Sequence, residues 1–224
     1  GTGVVIEGRL FHGSTGEASE FGHTSLFPDG RRCVCGSAGC WEEYASQRAL
    51  ERLYAEKLGE SCPQPWPEAD DIIRMARDGD SLALEVLRET ASYLGMGCAN
   101  LNAAFNPEAI IVGDYLASAW DMMEDAVWAS LRQQAPNRYL TQLRIAPSRH
   151  GRDSALMGAL ALVLSKFFTG SSQNNGNGKA LPPAVRSHML AGGAAQRTVT
   201  AKSVGLMRKV SLGDGMAGRK LPAC

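Results

Sequence analysis

Glu20-Phe21-Gly22-His23, followed by Cys33-Val34-Cys35-Gly36-Ser37-Ala38-Gly39-Cys40-Trp41-Glu42, decides the reading of this chain. Three thiols and one imidazole inside a short, glycine-punctuated loop are the inventory of a closed Cys₃His zinc site. Such a site needs soft thiolates and a neutral nitrogen arranged tetrahedrally, and the glycines let the backbone fold around the ion. Cys33 and Cys35 can chelate from one turn, Cys40 closes the far side, and His23 enters from the preceding segment. Four protein ligands leave no open position for water, so the expected zinc is structural. The alternative is three core-filling cysteines and a surface histidine. Arg31 and Arg32 beside the loop argue against an apolar core face. Cys62, in a proline-rich stretch, and Cys98, in an apolar helical stripe, read as bystanders.

The surrounding sequence alternates strand and helix. Val4 to Phe11 reads as a tight hairpin turned by Glu7-Gly8, and residues 13–40 are too irregular for a long helix. Trp41 to Leu58 carries apolar residues near the 3.6 period and ends at Gly59, a C-cap residue. A proline-rich connector (61–67) and a short helix over 68–77 follow. Asp80 then caps a long helix to Phe105, which Asn106-Pro107 stops. Ala109-Ile110-Ile111-Val112-Gly113 reads as a buried strand. A helix (117–134), a strand (143–147) and a helix (154–168) complete an α/β pattern with a covered sheet.

With 224 residues, 44% of them apolar and 21% charged, the composition is that of an ordinary globular protein. No stretch approaches the roughly 20 apolar residues that cross a bilayer. The zero net charge conceals two halves. Residues 169–224 hold eight Lys or Arg against the single acid Asp214, while residues 1–168 carry 15 basic and 22 acidic residues. An acidic body disfavours DNA binding by that body. The segment 169–224, without an aromatic residue and with nine of the 25 glycines, reads as a disordered basic tail. It is either a solvated appendage or a segment that touches nucleic acid. The scattered cysteines do not form a disulfide framework, which points to a reducing, cytoplasmic setting. A start at Gly1, with no Met and no signal segment, reads as a piece of something longer.

Glu-x-Gly-His followed by Cys-x-Cys-Gly-x-x-Gly-Cys-x-Glu closely resembles the zinc signature of the ROK family, which joins bacterial sugar kinases and sugar-responsive transcriptional repressors. The resemblance continues through Tyr44-Ala45-Ser46, Asn100-Leu101, Phe105-Asn106-Pro107-Glu108, Ile110-Ile111-Val112-Gly113 and the helix over 154–168. It implies that residues 1–168 are the C-terminal, sugar-binding lobe of an actin-like (RNase H-like) ATPase fold, with the zinc loop at 20–42. By position it implies zinc ligands His23, Cys33, Cys35 and Cys40, and sugar contacts Glu20, His23 and Glu42. Carboxylates suit sugar hydroxyls because they accept charge-assisted hydrogen bonds. Glu42 also stands where a helix N-terminus favours an acid, a role compatible with ligand contact.

Gly1, Thr2 and Gly3 match the start of the family's phosphate-side glycine loop, and Gly113 matches the first of a Gly-Gly pair at the nucleotide. Here Val4-Val5 and Asp114 replace the further glycines, so the nucleotide site reads as damaged. The family's catalytic aspartate comes from the other lobe, so no catalytic residue is assigned. The resulting expectation is the effector lobe of a ROK repressor, reaching DNA only through a missing upstream domain and homo-oligomeric at full length. The alternatives are a lobe of an ATP- and Mg-dependent sugar kinase such as a glucokinase, or an inactive truncated product.

Overall fold

The computed structural model describes residues 1–59, 65–135 and 140–168. The tail 169–224, Cys62 and residues 61–64 of the connector lie outside the described residues. Two short strands open the chain, β1 (Val5–Ile6) and β2 (Arg9–Leu10), paired antiparallel. Their turn residues Glu7 and Gly8 both have positive φ, the twist a two-residue hairpin needs. Residues 13–40 contain one turn of 3₁₀ helix, Phe21–His23.

The apolar periodicity over 41–58 does not make one helix. Helix α1 (Glu42–Ala45) ends at Ser46, whose extended backbone starts α2 (Gln47–Leu58). The Ser46 hydroxyl accepts the Ala49 N–H at 3.2 Å, so a serine that periodicity passes over is an N-cap. Gly59 ends α2 at φ 64°. Helix α3 (Ala69–Arg77) follows, and then α4 (Ser81–Phe105), capped by Asp80, whose carboxylate accepts the Ala83 N–H at 2.7 Å. Asn106 stops α4 in the left-handed region.

Strands β3 (Ala109–Val112) and β4 (Arg144–Pro147) pair in parallel, Ile110 beside Ile145. The expected buried strand is only partly so: Val112 is buried, while Ile111 is 42% exposed. The single helix expected over 117–134 is two, α5 (Asp114–Ser118) and α6 (Trp120–Gln134), broken at Ala119. The break lets Tyr115 and Leu116 as well as Trp120 enter the core. Helix α7 (Ser154–Phe168) leaves an apolar face in solvent, including Leu156, Leu160, Val163 and Phe167.

Helix α4 is the axis of the structure, packed by α1, α2, α3 and α6. Leu50 and Leu53 of α2, Ile72 of α3, Val86, Leu87, Leu94 and Cys98 of α4, and Met123, Val127 and Leu131 of α6 form one core. Cys98 is thus a core side chain, as its place in the apolar stripe implies, and burial pushes its thiol up to about 12. Among the described residues, no helix is long and apolar enough to cross a membrane.

A cysteine loop seated on the central helix

The loop is fastened to the core by its own last residues. Trp41, between Cys40 and Glu42, lays its indole on α4 at Gly97 and donates its Nε1–H to the Tyr93 carbonyl at 3.0 Å. Gly97 is required there because a Cβ would fall inside the Trp41 ring. The two arms of the loop are zipped by backbone bonds: Trp41 N to Thr24 O at 2.9 Å, Leu26 N to Gly39 O at 2.8 Å and Gly39 N to Arg31 O at 2.7 Å. Gly39 sits at φ 72°, and a side chain there would strike the Phe27 carbonyl. A tight turn, Gly36 N to Cys33 O at 3.0 Å, brings Cys33 and Cys35 together.

Arg31 braces the loop from outside. Its backbone N–H is donated to the Tyr44 hydroxyl at 2.8 Å, and its guanidinium reaches the Glu43 carbonyl at 3.1 Å and the Glu56 carboxylate. It also lies 5.2 Å from the Tyr44 ring centroid, a cation–π distance. Arg52 donates to the same Glu43 carbonyl at 2.8 Å. Phe27, Tyr44 and Tyr93 stack edge-on or tilted behind it, at centroid distances of 4.9 to 5.9 Å. Sequence spacing gave no signal for this brace, since Arg31 and Glu56 are 25 positions apart.

These supports converge four donor atoms. One donor each from His23, Cys33, Cys35 and Cys40 all lie within 4.8 Å of one another. Cys35 Sγ is 3.6 Å from Cys40 Sγ, and Cys33 Sγ is 3.6 Å from His23 Nδ1. A tetrahedron with Zn–S bonds of about 2.3 Å has S···S edges of about 3.8 Å. The donor set therefore fits a zinc ion in type, number and spacing. Four soft or borderline donors, three of them sulfur, also disfavour magnesium or calcium. Among the described residues the cysteines are free thiols.

Glu42 reaches the same cluster. Its Oε1 accepts the Cys33 thiol at 3.1 Å and lies 3.3 Å from His23 Nδ1. The Cys35 N–H lowers the Cys33 thiol, but burial and the hydrogen bonds with Glu42, Cys35 and Cys40 outweigh it and push the thiol up to about 12. Cys35 moves the other way, to about 7, because the Ser37 N–H and then the other two thiols donate to its thiolate. Burial raises Cys40. With Nδ1 on the thiol side, the half-buried His23 keeps Nε2 for another partner.

Glu20 precedes the 3₁₀ turn and is exposed, and its backbone carbonyl accepts the His23 N–H at 3.1 Å. Thr2 is tied to the same turn: its hydroxyl donates to the Ser19 carbonyl and accepts the Phe21 N–H at 3.1 Å. Phe21 in turn meets Phe105 of α4 edge-on at 5.2 Å. So Glu20, His23 and Glu42 are brought to one loop system. Gly113 is elsewhere, at the carboxyl end of β3, and among the described residues no hydrogen bond joins it to Gly1, Thr2 or Gly3. The next residue, Asp114, is exposed and holds φ 60°, a conformation that favours glycine.

The ROK family model matches residues 1–166. A glucokinase of Streptomyces coelicolor is 38% identical over 177 residues, covering 73% of this chain and 56% of the relative. The xylose repressor of Bacillus subtilis is 32% identical over 171 residues, covering 75% of this chain and 42% of the relative. Among solved structures, a ROK family glucokinase from Streptomyces griseus, in complex with glucose and AMPPNP, superposes with a TM-score of 0.67 at 32% identity. That match covers 73% of this chain and 57% of the other. The chain spans about half the length of these relatives.

Proposed function

Because the chain belongs to the ROK family, we propose that it binds a sugar through Glu20, His23 and Glu42, as the effector lobe of a repressor-type member and not as the seat of phosphoryl transfer. Zinc held by His23, Cys33, Cys35 and Cys40 would supply a rigid anchor for the loop. The Glu20 and Glu42 carboxylates accept hydrogen bonds from sugar hydroxyls. With Nδ1 committed, His23 carries its proton on Nε2 and donates it to a sugar oxygen. Trp41 and Arg31 keep Glu42 in register with both. In a repressor-type protein, sugar shifts the balance between DNA-competent and incompetent states by its differential affinity. DNA would be met through a segment outside this chain.

The observation that carries the choice is Asp114. In a nucleotide site, a carboxylate at the carboxyl end of β3 repels phosphate and replaces an N–H-rich glycine turn. A second reading, the sugar-side lobe of an ATP- and Mg-dependent glucokinase, draws support from the 38% identity to the Streptomyces glucokinase, against 32% for the xylose repressor. Calorimetry on the zinc-loaded chain separates them. Glucose is expected to bind, and Glu20→Gln and Glu42→Gln to weaken it at least about tenfold with unchanged metal content. AMPPNP with Mg²⁺ is expected not to bind. Nucleotide binding would favour the kinase reading, and glucose affinity indifferent to both substitutions would remove the sugar assignment.

A further inference from the structure

We propose that Cys35 is a peroxide-reactive modification site and that Cys40 resolves it, closing a disulfide across the loop. Their sulfurs are 3.6 Å apart, and of the three loop thiols only Cys35 is exposed to solvent. Cys40 is buried directly behind it, so an oxidant meets Cys35 first while Cys40 waits in contact. Cys33 is engaged otherwise, its thiol donated to Glu42 at 3.1 Å. The segment between Cys35 and Cys40 contains Gly36 at φ 94° with open space around it, which gives the backbone room to draw the sulfurs to the roughly 2.05 Å of a disulfide. Cys33 and Cys35, with one residue between them, would have to close a far smaller ring.

The chemistry proceeds in two balanced steps. The Cys35 thiolate attacks one oxygen of hydrogen peroxide, the O–O bond breaks, and hydroxide leaves behind a sulfenic acid. The Cys40 sulfur then attacks the Cys35 sulfur. An S–S bond forms, the S–O bond breaks, and the departing oxygen takes the Cys40 proton as water. In sum, two thiols and one peroxide give a disulfide and two waters, the sulfurs losing the two electrons that the peroxide gains. A disulfide removes two of four donors, leaving His23 and Cys33, and the metal departs. This last consequence rests on the metal reading above; the pairing does not.

The test treats the full-length chain, zinc-loaded and separately stripped of metal, with limiting peroxide. Released zinc is read with a chromogenic chelator. The remaining thiols are alkylated, and the tryptic peptide Cys33–Arg48, which holds all three cysteines, is fragmented. The expected product has lost two hydrogens, carries alkyl on Cys33 only and joins Cys35 to Cys40, with zinc released in step. In Cys40→Ser, a sulfenic-acid trap should label Cys35. A disulfide through Cys33, or trapping on another thiol, overturns the proposal, as does the absence of any disulfide in both forms. If the purified chain holds no zinc yet Cys35 and Cys40 still pair, the pairing stands and the metal reading falls.

Discussion

The cysteine loop and the carboxyl end of β3 are built in opposite ways. In the loop every special residue has a reason within reach. Gly39 admits the Phe27 carbonyl, Gly97 admits the Trp41 ring, and Arg31 ties both loop arms to α1 and α2. At the end of β3, Asp114 occupies a left-handed conformation that glycine would adopt more easily, and its carboxylate is exposed. A local rule is satisfied several times over in one place and broken in the other. Dense mutual constraint marks the region that must hold its shape. The strain at Asp114 is what the proposed function expects where the Gly-Gly turn of a nucleotide site is no longer needed.

Breaking the loop should give the largest effect. Stripping the metal with a strong chelator is expected to lower the melting temperature by about 10 °C or more, because the ligands then lose their common partner. An unchanged melting curve would count against a metal in the loop. Next comes Gly97→Ala, which drives a methyl group into the Trp41 ring. It should cost about 3 kcal/mol by urea denaturation and reduce metal content with it. A cost below about 1 kcal/mol would mean that Trp41 can leave its seat without consequence.

The β3 end should respond with the opposite sign. Asp114→Gly relieves the left-handed strain, less the added freedom of the unfolded chain, for a net gain of up to about 1 kcal/mol. A loss on the same assay would show that the aspartate has acquired a role there. The smallest effect belongs to the exposed Arg77–Asp121 pair, at 2.8 Å. The Arg77 hydrogen bond holds the Asp121 carboxyl below its ordinary value. The pair's contribution is therefore fully present above the unfolded carboxylate range and disappears as pH falls through the lowered one. Asp121→Asn should remove no more than about 1 kcal/mol at pH 7, progressively less as pH falls below the ordinary carboxylate range, and less still in high salt.

What the sequence made legible were features whose cause is local. Glu7-Gly8 turns a hairpin, Asp80 caps a helix, Asn106-Pro107 ends it, and four ligand-type residues in a short loop converge to within 4.8 Å of one another. Features that leave no distinctive residue pattern, or that depend on distant partners, stayed hidden. Ser46 interrupts a continuous apolar period because its hydroxyl finds the Ala49 amide, and periodicity carries no trace of that choice. Ala119 breaks a helix so that residues on both sides can face the core. Ile111 resembles its buried neighbours in type, yet it sits on the face of a two-stranded sheet that, among the described residues, no other element covers fully. The seat of Trp41 depends on a glycine 56 positions later, and the Arg31 brace on a carboxylate in α2. Glu20, His23 and Glu42 could be named as a group from the resemblance alone, whereas the side chains that brace the loop could be found only in three dimensions.

Cys40, Trp41 and Glu42 are consecutive, so on the proposed function one peptide segment joins a metal donor, a plug in the central helix and a carboxylate offered to ligand. Reciprocity then follows. If the proposed function holds, any free energy by which a bound sugar steadies Glu42 returns undiminished as tighter retention of the ion, so that supply of the ion would set how firmly the sugar is held.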